Sequence, residues 1–472
     1  MNATRPALLR EPGALPSLPW WLMMIAVLWL TLYVHWIAGI GLLALVIVQR
    51  ARPLDFLTSY LMVVVAGSFM NYGSGTLTKQ MTFFLIFLIF MLYCYVLQRR
   101  WDGLVFPKTP ATKPMLLWLG LTVANFIRGM VIGNSPRYAG LELIACLALV
   151  SSLLMASRRA TEHEIKILLF WMWIMSLGHF MLGAYAYSVL HMRTIGVFFE
   201  AVPGVVAMMM LNFALRESRR SRQILWFVAM APLLLHQFLS FTRGYWLAAI
   251  FTTVFSIVVY CGRGEGVGAR WKRSAIALSM LAGLAVLGIL AAAATLGIGN
   301  VFGLAGTRIA SSAGTEYTWV SSSNVVRLVE YFHVLDLVIE QPIFGHGLGY
   351  YFVVREPIGF TLVEQWFVHE NYLLVTLKQG LVGLALWVWL LISLVRVGLR
   401  GINLPNLTEQ SWCAGTAAIV VYCIVYSFVH FPLAEVNTTF TFALATGVAM
   451  GLTGTDTIAI RWKGRRTQPA GS

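Results

Sequence analysis

Charged residues are scarce in this chain, and acidic ones are the scarcest. Only 11% of the 472 residues are charged, with 19 Asp and Glu against 34 Lys and Arg, whereas 59% are hydrophobic. Together with a mean hydropathy of +0.76, this composition excludes a water-soluble globular protein of this length. It predicts an all-α polytopic membrane protein, because about 20 consecutive apolar residues cross the hydrocarbon as a helix.

Cysteine and metal-ligand patterns are lacking as well. All five cysteines lie in or beside apolar runs without metal-site spacing, so we interpret them as small buried hydrophobes. No two histidines stand four residues apart, and we therefore predict neither a metal nor another cofactor. The net charge of +15 comes from small clusters between apolar runs and not from one stripe, which argues against a nucleic-acid partner.

The basic clusters predict the topology. Two apolar runs separate each cluster from the next, so all of the clusters can share the cytoplasmic side. The stretch from Trp20 to Val48 is long for one helix and short for two, so we expect 12 to 14 transmembrane helices and a cytoplasmic C-terminus. Twelve spans are predicted after Arg52, near residues 55–71, 81–97, 115–133, 140–156, 165–190, 201–215, 224–241, 245–261, 275–297, 377–395, 411–430 and 438–454.

One outer connection is much longer than the others, and it runs from Asn300 to Val368. Loops of this length are usually functional or carry their own structure. An amphipathic helix on the outer membrane face is predicted near residues 325–339, where apolar residues recur at helical spacing. Its predicted stripe consists of Val325, Leu328, Val329, Phe332, Leu335, Val338 and Ile339. The following run, Gly345 to Gly349, indicates a backbone that needs unusual torsions or close approach.

These features divide the chain into four parts. Residues 1–299 are predicted to form the N-terminal transmembrane helices, and residues 300–376 the large periplasmic loop with its amphipathic helix and a histidine. Residues 377–460 form the C-terminal transmembrane helices in this scheme. Residues 461–472 are a basic cytoplasmic tail, which we interpret as an anchor on anionic lipid.

A histidine and an acid, His369 and Glu370, stand at the mouth of an apolar helix. Such residues are costly near the hydrocarbon unless they do chemistry or line water. Histidine is suited to removing a proton from a hydroxyl at neutral pH, and Glu330, Glu364 or Glu370 could orient it. The alternative is an interfacial histidine that is merely hydrogen-bonded to its neighbours.

Seven arginines fall on the predicted outer side, against the topological bias, and four of them lie at or beside predicted outer ends of helices: Arg137, Arg193, Arg243 and Arg327. Guanidinium groups pair bidentately with phosphate oxygens and keep their charge at physiological pH. We therefore predict that they bind a lipid-linked pyrophosphate. Outer arginines also commonly anchor a helix at lipid headgroups, and this alternative stays open for Arg137 and Arg193 in particular.

Four stretches, taken in order, resemble the O-antigen ligase and polymerase superfamily. The resemblance covers about residues 224–395, and the stretches are Ser240 to Trp246, Arg327 with Pro342 to Gly349, His369 to Leu373, and Gly380 to Leu384. It implies a GT-C-type glycosyltransferase that works by metal-independent, inverting transfer from undecaprenyl pyrophosphate on the periplasmic face. Ligase members transfer O-antigen to the lipid A core, polymerase members extend another lipid-linked glycan, and some relatives glycosylate proteins.

The resemblance also implies roles for individual residues. Arg243, Arg327 and His369 are expected to be catalytic. Arg137, Arg193, Glu370, Asn371 and Tyr372 are expected to bind pyrophosphate or glycan. Many members have Asn directly after the histidine, whereas this chain has Glu370 there and Asn371 next.

The function predicted from these observations is that of an O-antigen ligase in the bacterial inner membrane. Its partners would be an undecaprenyl-pyrophosphate-linked glycan, a lipid A-core acceptor and membrane lipids. An O-antigen or exopolysaccharide polymerase and a protein O-oligosaccharyltransferase remain alternatives. A lipid-linked glycan transporter is a more distant one, because a transporter typically shows internal repeats with interrupted helices, and we find neither in the sequence.

Overall fold

The protein is described by a computed structural model. It describes residues 104–157, 159–189, 201–239, 242–262, 319–355, 362–429, 436–454 and 457–460, with a few single residues between 268 and 283. Several parts of the predicted scheme lie outside the described residues. They are the stretch from Trp20 to Val48, the spans near 55–71 and 81–97, nearly all of the span near 275–297, Arg193 and the tail from Arg461.

Ten helices and four short strands are seen in the described part of the chain. The helices are α1 (Thr112–Val131), α2 (Pro136–Ala156), α3 (Glu162–Val189), α4 (Val202–Arg216), α5 (Arg220–Leu239), α6 (Arg243–Cys261), α7 (Trp319–Glu340), α8 (Asn371–Gly401), α9 (Leu407–Tyr426) and α10 (Val436–Thr453). The strands are β1 (Leu104–Pro107), β2 (Phe352–Arg355), β3 (Leu362–Gln365) and β4 (Thr457–Ile460).

The helices coincide with the predicted spans wherever both can be compared. Each span predicted between residues 115 and 261, and each predicted after residue 376, has a helix within a few residues of its expected bounds. Four of the described helices contain segments long and apolar enough to cross a membrane: Thr112–Val131, Glu162–Met181, Gly244–Cys261 and Asn371–Gly401. The helical, membrane-associated class is therefore confirmed, while the total of 12 to 14 spans and the GT-C-type architecture stay predictions.

The chain divides into two units. Residues 107–455 form the larger one, which contains all ten helices and the antiparallel hairpin of β2 and β3. In the other unit, residues 1–106 and 456–472, the described feature is the pairing of β1 with β4.

Helix α4 lies at the centre of the larger unit, since every one of its residues is buried. It packs against α3, α5, α6, α9 and α10. Gly204 faces the side chains of Gln237 and Tyr422, and Gly415 of α9 faces Met209. A side chain at either glycine would collide with these neighbours. Small residues thus allow the close helix approach that stabilises bundles in a membrane.

Helix α8 begins earlier than predicted and is broken in the middle. It starts at Asn371, whereas the span was predicted from residue 377, because Glu370 caps a first turn that is already helical. At Gly380 the backbone has φ 69° and ψ −171°, which interrupts the helix. The first half of α8 therefore belongs to the site described below, and its second half continues as an apolar helix.

The long loop has more structure than the sequence predicted. Its helix, α7, is longer than the expected 325–339, and β2 and β3 pair in register, with Val353 opposite Glu364. On α7, Leu328, Phe332 and Ile339 are 56%, 57% and 73% exposed. These residues belong to the predicted apolar stripe, so the amphipathic pattern is present, although its contact with the membrane stays a prediction.

Candidate active site

His369 lies between β3 and the start of α8, and its imidazole is paired with a buried carboxylate. Its Nδ1 is 2.7 Å from Oε2 of Glu330, which belongs to α7. The side chain of Glu330 is 2% exposed, whereas that of His369 is 33% exposed. Among the described residues, none forms a hydrogen bond with Nε2 of His369. The ring is thus held through one nitrogen and presents the other.

The carboxylate of Glu330 is itself held in place. Its Oε1 accepts a hydrogen bond from Nε2 of Gln365 at 2.6 Å and a longer one from the backbone N–H of His369 at 3.3 Å. Gln365 ends β3, so the hairpin and the loop helix meet at this carboxylate. Of the three acids that the sequence offered as partners of His369, the structure selects Glu330.

Glu370 has a different role, as the cap of α8. Its carboxylate accepts hydrogen bonds from the backbone N–H groups of Tyr372 at 3.2 Å and Leu373 at 2.6 Å. Burial raises the pKa of this carboxyl, and the two N–H groups act in the opposite direction. Capping of this kind satisfies backbone donors that the first turn of a helix leaves without partners.

Asn371 and Tyr372 fasten the start of α8 to the end of α9. The backbone N–H of Asn371 donates to the carbonyl of Ser427 at 2.9 Å, and the hydroxyl of Tyr372 donates to the carbonyl of Ile424 at 2.9 Å. Asn371 is fully buried. These contacts are structural, and the contact with glycan expected for Glu370, Asn371 and Tyr372 stays a prediction.

The same end of α9 receives the start of α6, where Arg243 is the first helical residue. Gly244 packs directly against Tyr426 and Val429, and the ring of Tyr245 stacks on that of Tyr426 with centroids 4.8 Å apart. The end of α9 therefore contacts α6 and α8 together. This packing brings the backbone of Arg243 to the end of the bundle that carries His369.

Arg327 lies on α7, one helical turn before Glu330, and its side chain is exposed. Residues three apart on a helix are neighbours on its surface. Helix α7 therefore carries an exposed arginine one turn before the buried partner of His369.

Arg137 is exposed at the start of α2, next to an aromatic cluster that leads to His369. Its guanidinium carbon is 5.9 Å from the ring centre of Tyr138, which stacks on Trp366 at 5.8 Å. Phe367 in turn lies 5.4 Å from the ring of His369. The cluster thus joins the start of α2 to the segment between β3 and α8.

The run from Gly345 to Gly349 fits into the break of α8, and the unusual torsions expected there are confirmed. Gly345, Gly347 and Gly349 have φ values of 64°, 83° and 80°. Backbone N–H groups of His346 and Gly347 donate to the carbonyls of Leu377 and Lys378, at 2.8 and 3.0 Å. In return, the N–H of Leu381 donates to the carbonyl of Pro342 at 2.8 Å. Backbone groups released by the break at Gly380 are thereby satisfied.

Two charged contacts hold this glycine run, and sequence reasoning missed both pairings. Arg128 donates to the carbonyls of Gly345 at 2.6 Å and Phe344 at 3.1 Å. Lys378 Nζ lies 2.6 Å from Oε1 of Glu142, and both side chains are nearly fully buried. The other oxygen of Glu142 accepts the N–H of Gly349 at 2.8 Å. The signal available in the sequence was an acid and a base inside apolar runs, which usually pair.

The arrangement suits removal of a proton from a hydroxyl by His369. An ionised carboxylate only accepts hydrogen bonds, so Nδ1 of His369 carries the proton and Nε2 is the acceptor nitrogen. In the described part of the chain, no three His, Cys, Asp or Glu residues are grouped closely enough to hold a metal ion. Residues 227–388 match the family model described as O-antigen ligase, which confirms the resemblance of the four stretches. No match was found among curated proteins.

Proposed function

We propose that the protein is an O-antigen ligase, because residues 227–388 match the family model described as O-antigen ligase. It transfers a glycan from undecaprenyl pyrophosphate to a sugar hydroxyl of lipid A-core. The observation that carries the proposal is the part-exposed His369 ring with its Nδ1 on the buried Glu330 carboxylate. A sugar hydroxyl is a poor nucleophile until a base takes its proton, and Nε2 of His369 is available for that task.

The leaving pyrophosphate needs positive charge as the glycosidic bond breaks. Arg243 and Arg327 supply it in this proposal, with Arg137 and Arg193 binding the pyrophosphate or glycan. Support comes from the start of α6, which shares the end of α9 with α8, and from the exposed Arg327 beside Glu330. A well-placed donor in a poorly hydrated site is worth about 3 to 4 kcal/mol of transition-state stabilisation.

One displacement then completes the reaction without a metal ion. The acceptor oxygen attacks the anomeric carbon from the face opposite the pyrophosphate, so the configuration inverts. The hydroxyl proton passes to Nε2 of His369, and the pyrophosphate leaves with the electron pair of the broken bond. Guanidinium groups neutralise the departing anion, as a bound cation does in other phosphate chemistry.

The enzyme would work on the periplasmic face of the inner membrane, with its C-terminus in the cytoplasm. Support comes from the basic clusters between spans and from the position of His369, Arg137 and the start of α6 at helix ends that the topology assigns to the outer side. Both lipid substrates reach such a site from the membrane.

Replacement of the ligase gene of a Gram-negative host by this gene tests the proposal. A host that makes a known O-antigen but lacks its own ligase should regain long-chain lipopolysaccharide on gels. Its carrier pool, labelled and separated by chromatography, should lose the accumulated polymerised glycan. The variant His369→Ala serves as the inactive control.

The same host can distinguish the alternatives. Restoration of chain length only in a polymerase-deficient strain would make the protein a polymerase. Glycan on a periplasmic protein, with lipopolysaccharide unchanged, would make it an oligosaccharyltransferase. Absence of all three products, in a host shown to contain the intact protein, would reject glycosyl transfer to these acceptors.

A further inference from the structure

We propose that Glu330 is the positioning residue of His369, and that Gln365 holds Glu330 in place for that role. The inference rests on the proposed function for the identity of the acceptor hydroxyl. The effect of the buried Glu330 carboxylate on the proton of the His369 imidazole can be measured without the transfer reaction.

The first argument is the geometry of the pair. A neutral imidazole carries its proton on either nitrogen, and the partner of one nitrogen decides which form is present. Oε2 of Glu330, 2.7 Å from Nδ1, accepts a hydrogen bond from the N–H of that nitrogen. Nε2 is then the basic nitrogen of a ring that is 33% exposed.

The second argument is that hydrogen bonds fix the orientation of the Glu330 carboxylate. Both hydrogen bonds to Oε1, from Gln365 and from the backbone of His369, leave Oε2 directed at Nδ1. Glu330 is 2% exposed, so water does not replace these partners. A buried carboxylate without hydrogen bonds would be costly, and the three donors compensate for that cost.

The third argument is that neighbouring acids are engaged elsewhere. Glu370 uses its two oxygens on the backbone of α8. Glu364 is exposed and precedes Gln365 on β3, and successive side chains of a strand point to opposite faces.

During transfer the pair works as a unit. The acceptor O–H bond breaks, its proton moves to Nε2, and the oxygen forms the new bond to the anomeric carbon. The resulting imidazolium lies against the negative carboxylate, which stabilises it and does not itself take the proton. The imidazolium later returns its proton to water, which restores the starting state.

The first experiment compares Glu330→Gln with Asp336→Asn in purified protein in nanodiscs. Asp336 is an exposed acid on the same helix and therefore controls for loss of an acidic side chain. With undecaprenyl-pyrophosphate-linked O-antigen and lipid A-core as substrates, Glu330→Gln should lower kcat by at least about 100-fold with little change in KM. Asp336→Asn should leave both constants unchanged.

The second experiment reads His369 directly. The ¹⁵N NMR shifts of protein labelled at histidine report which ring nitrogen carries the proton, and the signals of His369 are those missing from His369→Ala. Wild type should have the proton on Nδ1 of His369, because Glu330 accepts a hydrogen bond there. Glu330→Gln should lose this preference, since a neutral amide can donate to Nδ1 as well as accept from it. Gln365→Leu should lose less of it, because Glu330 keeps its charge but loses one constraint.

The outcomes separate the two proposals. An unchanged proton position on His369 and an unchanged kcat in Glu330→Gln would overturn the positioning role. A changed proton position in a protein that transfers no glycan would reject the proposed function and leave the pairing intact. If Glu330→Gln does not fold, Glu330→Asp replaces it: the shorter acid keeps the charge but not the reach to Nδ1, so its preference for a proton on Nδ1 should be weaker than in wild type. A Glu330→Asp variant with the wild-type proton position and full activity would also overturn the positioning role.

Discussion

At the scale of single residues, hydrogen-bond partners separate scaffold histidines from the candidate base. Nε2 of His346 lies 2.7 Å from the carbonyl of Leu337, and its ring stacks on Tyr350 with centroids 4.2 Å apart. That histidine fastens the glycine run to α7. His369 is different, because its contact is made through Nδ1 and its ring remains 33% exposed. The same residue type is therefore engaged in packing at one place and keeps part of its ring exposed at the other.

Replacement of His369 by alanine should abolish transfer without unfolding the protein. The base contributes about 10²- to 10⁴-fold to such reactions, while its part-exposed ring contributes little packing. The rate of lipopolysaccharide formation in purified protein measures the effect, with size-exclusion profile and thermal melting as checks on folding. His163→Ala, at an exposed position at the start of α3, is the control. Substantial activity in His369→Ala would remove this residue from the mechanism.

At the scale of elements, the break in α8 joins the loop to the membrane bundle. The positive φ of Gly380 ends the first half of the helix, and the freed carbonyls of Leu377 and Lys378 accept donors from the glycine run. The turn that follows α7 is thus hydrogen-bonded to the first half of α8. This junction ties the helix that carries Glu330 to the helix that follows His369.

Gly380→Ala should destabilise this junction. A side chain there would collide with the backbone at Ile343 and Phe344, and a non-glycine residue at positive φ is strained by about 1 kcal/mol or more. We expect a lower melting temperature and reduced transfer. Gly120→Ala is the matched control, because nothing lies near its added methyl group in α1 and alanine favours a helix. Equal melting temperatures for the two variants would contradict the proposed junction.

Helix α7 should lie with its apolar stripe in the outer leaflet. Exposed Leu328, Phe332 and Ile339 share one side, opposite the buried Glu330 and Val334, which is the pattern of an interfacial helix. A nitroxide at residue 332, in a background without native cysteines, should be relaxed more by oxygen than by a water-soluble nickel complex. A nitroxide at the exposed Glu340 should show the reverse. Preference for the nickel complex at both sites would place α7 in water.

At the scale of the whole molecule, a buried ion pair joins parts of the chain that are far apart in sequence. Glu142 comes from α2 and Lys378 from α8, and their charges lie 2.6 Å apart with almost no exposure. The loop takes part as well, because Glu142 accepts the N–H of Gly349. Helices α2 and α8 and the glycine run are therefore held at one point.

Replacing Glu142 or Lys378 alone should lower the melting temperature more than replacing both together. An unpaired buried charge costs about 3 to 5 kcal/mol, whereas an apolar pair of similar volume is often tolerated. Melting temperatures of Lys378→Met, Glu142→Leu and the double variant measure this difference. Lys166→Met, which breaks the exposed pair with Glu162, should have little effect. Additive losses in the double variant would show that the two charges do not interact.

Much of the helical fold was predictable because hydrophobicity and charge act locally. Apolar runs between basic clusters located the helices from α1 to α6 and from α8 to α10 within a few residues. The start of α8 was misplaced because the capping side chain of Glu370 extends a helix into polar sequence. The hairpin of β2 and β3 was not predicted, since two four-residue strands carry little periodic signal.

The sequence by itself determined the membrane class, the positions of most described helices, the resemblance to the O-antigen ligase family and His369 as a candidate base, since each depends on composition, local pattern or a short motif. Only the tertiary structure decided which of three acids meets the imidazole, that Glu370 caps a helix, and that Lys378 pairs with Glu142. These pairings join residues that are distant in the chain. Burial and helix packing, which a linear pattern does not contain, bring them within hydrogen-bonding distance.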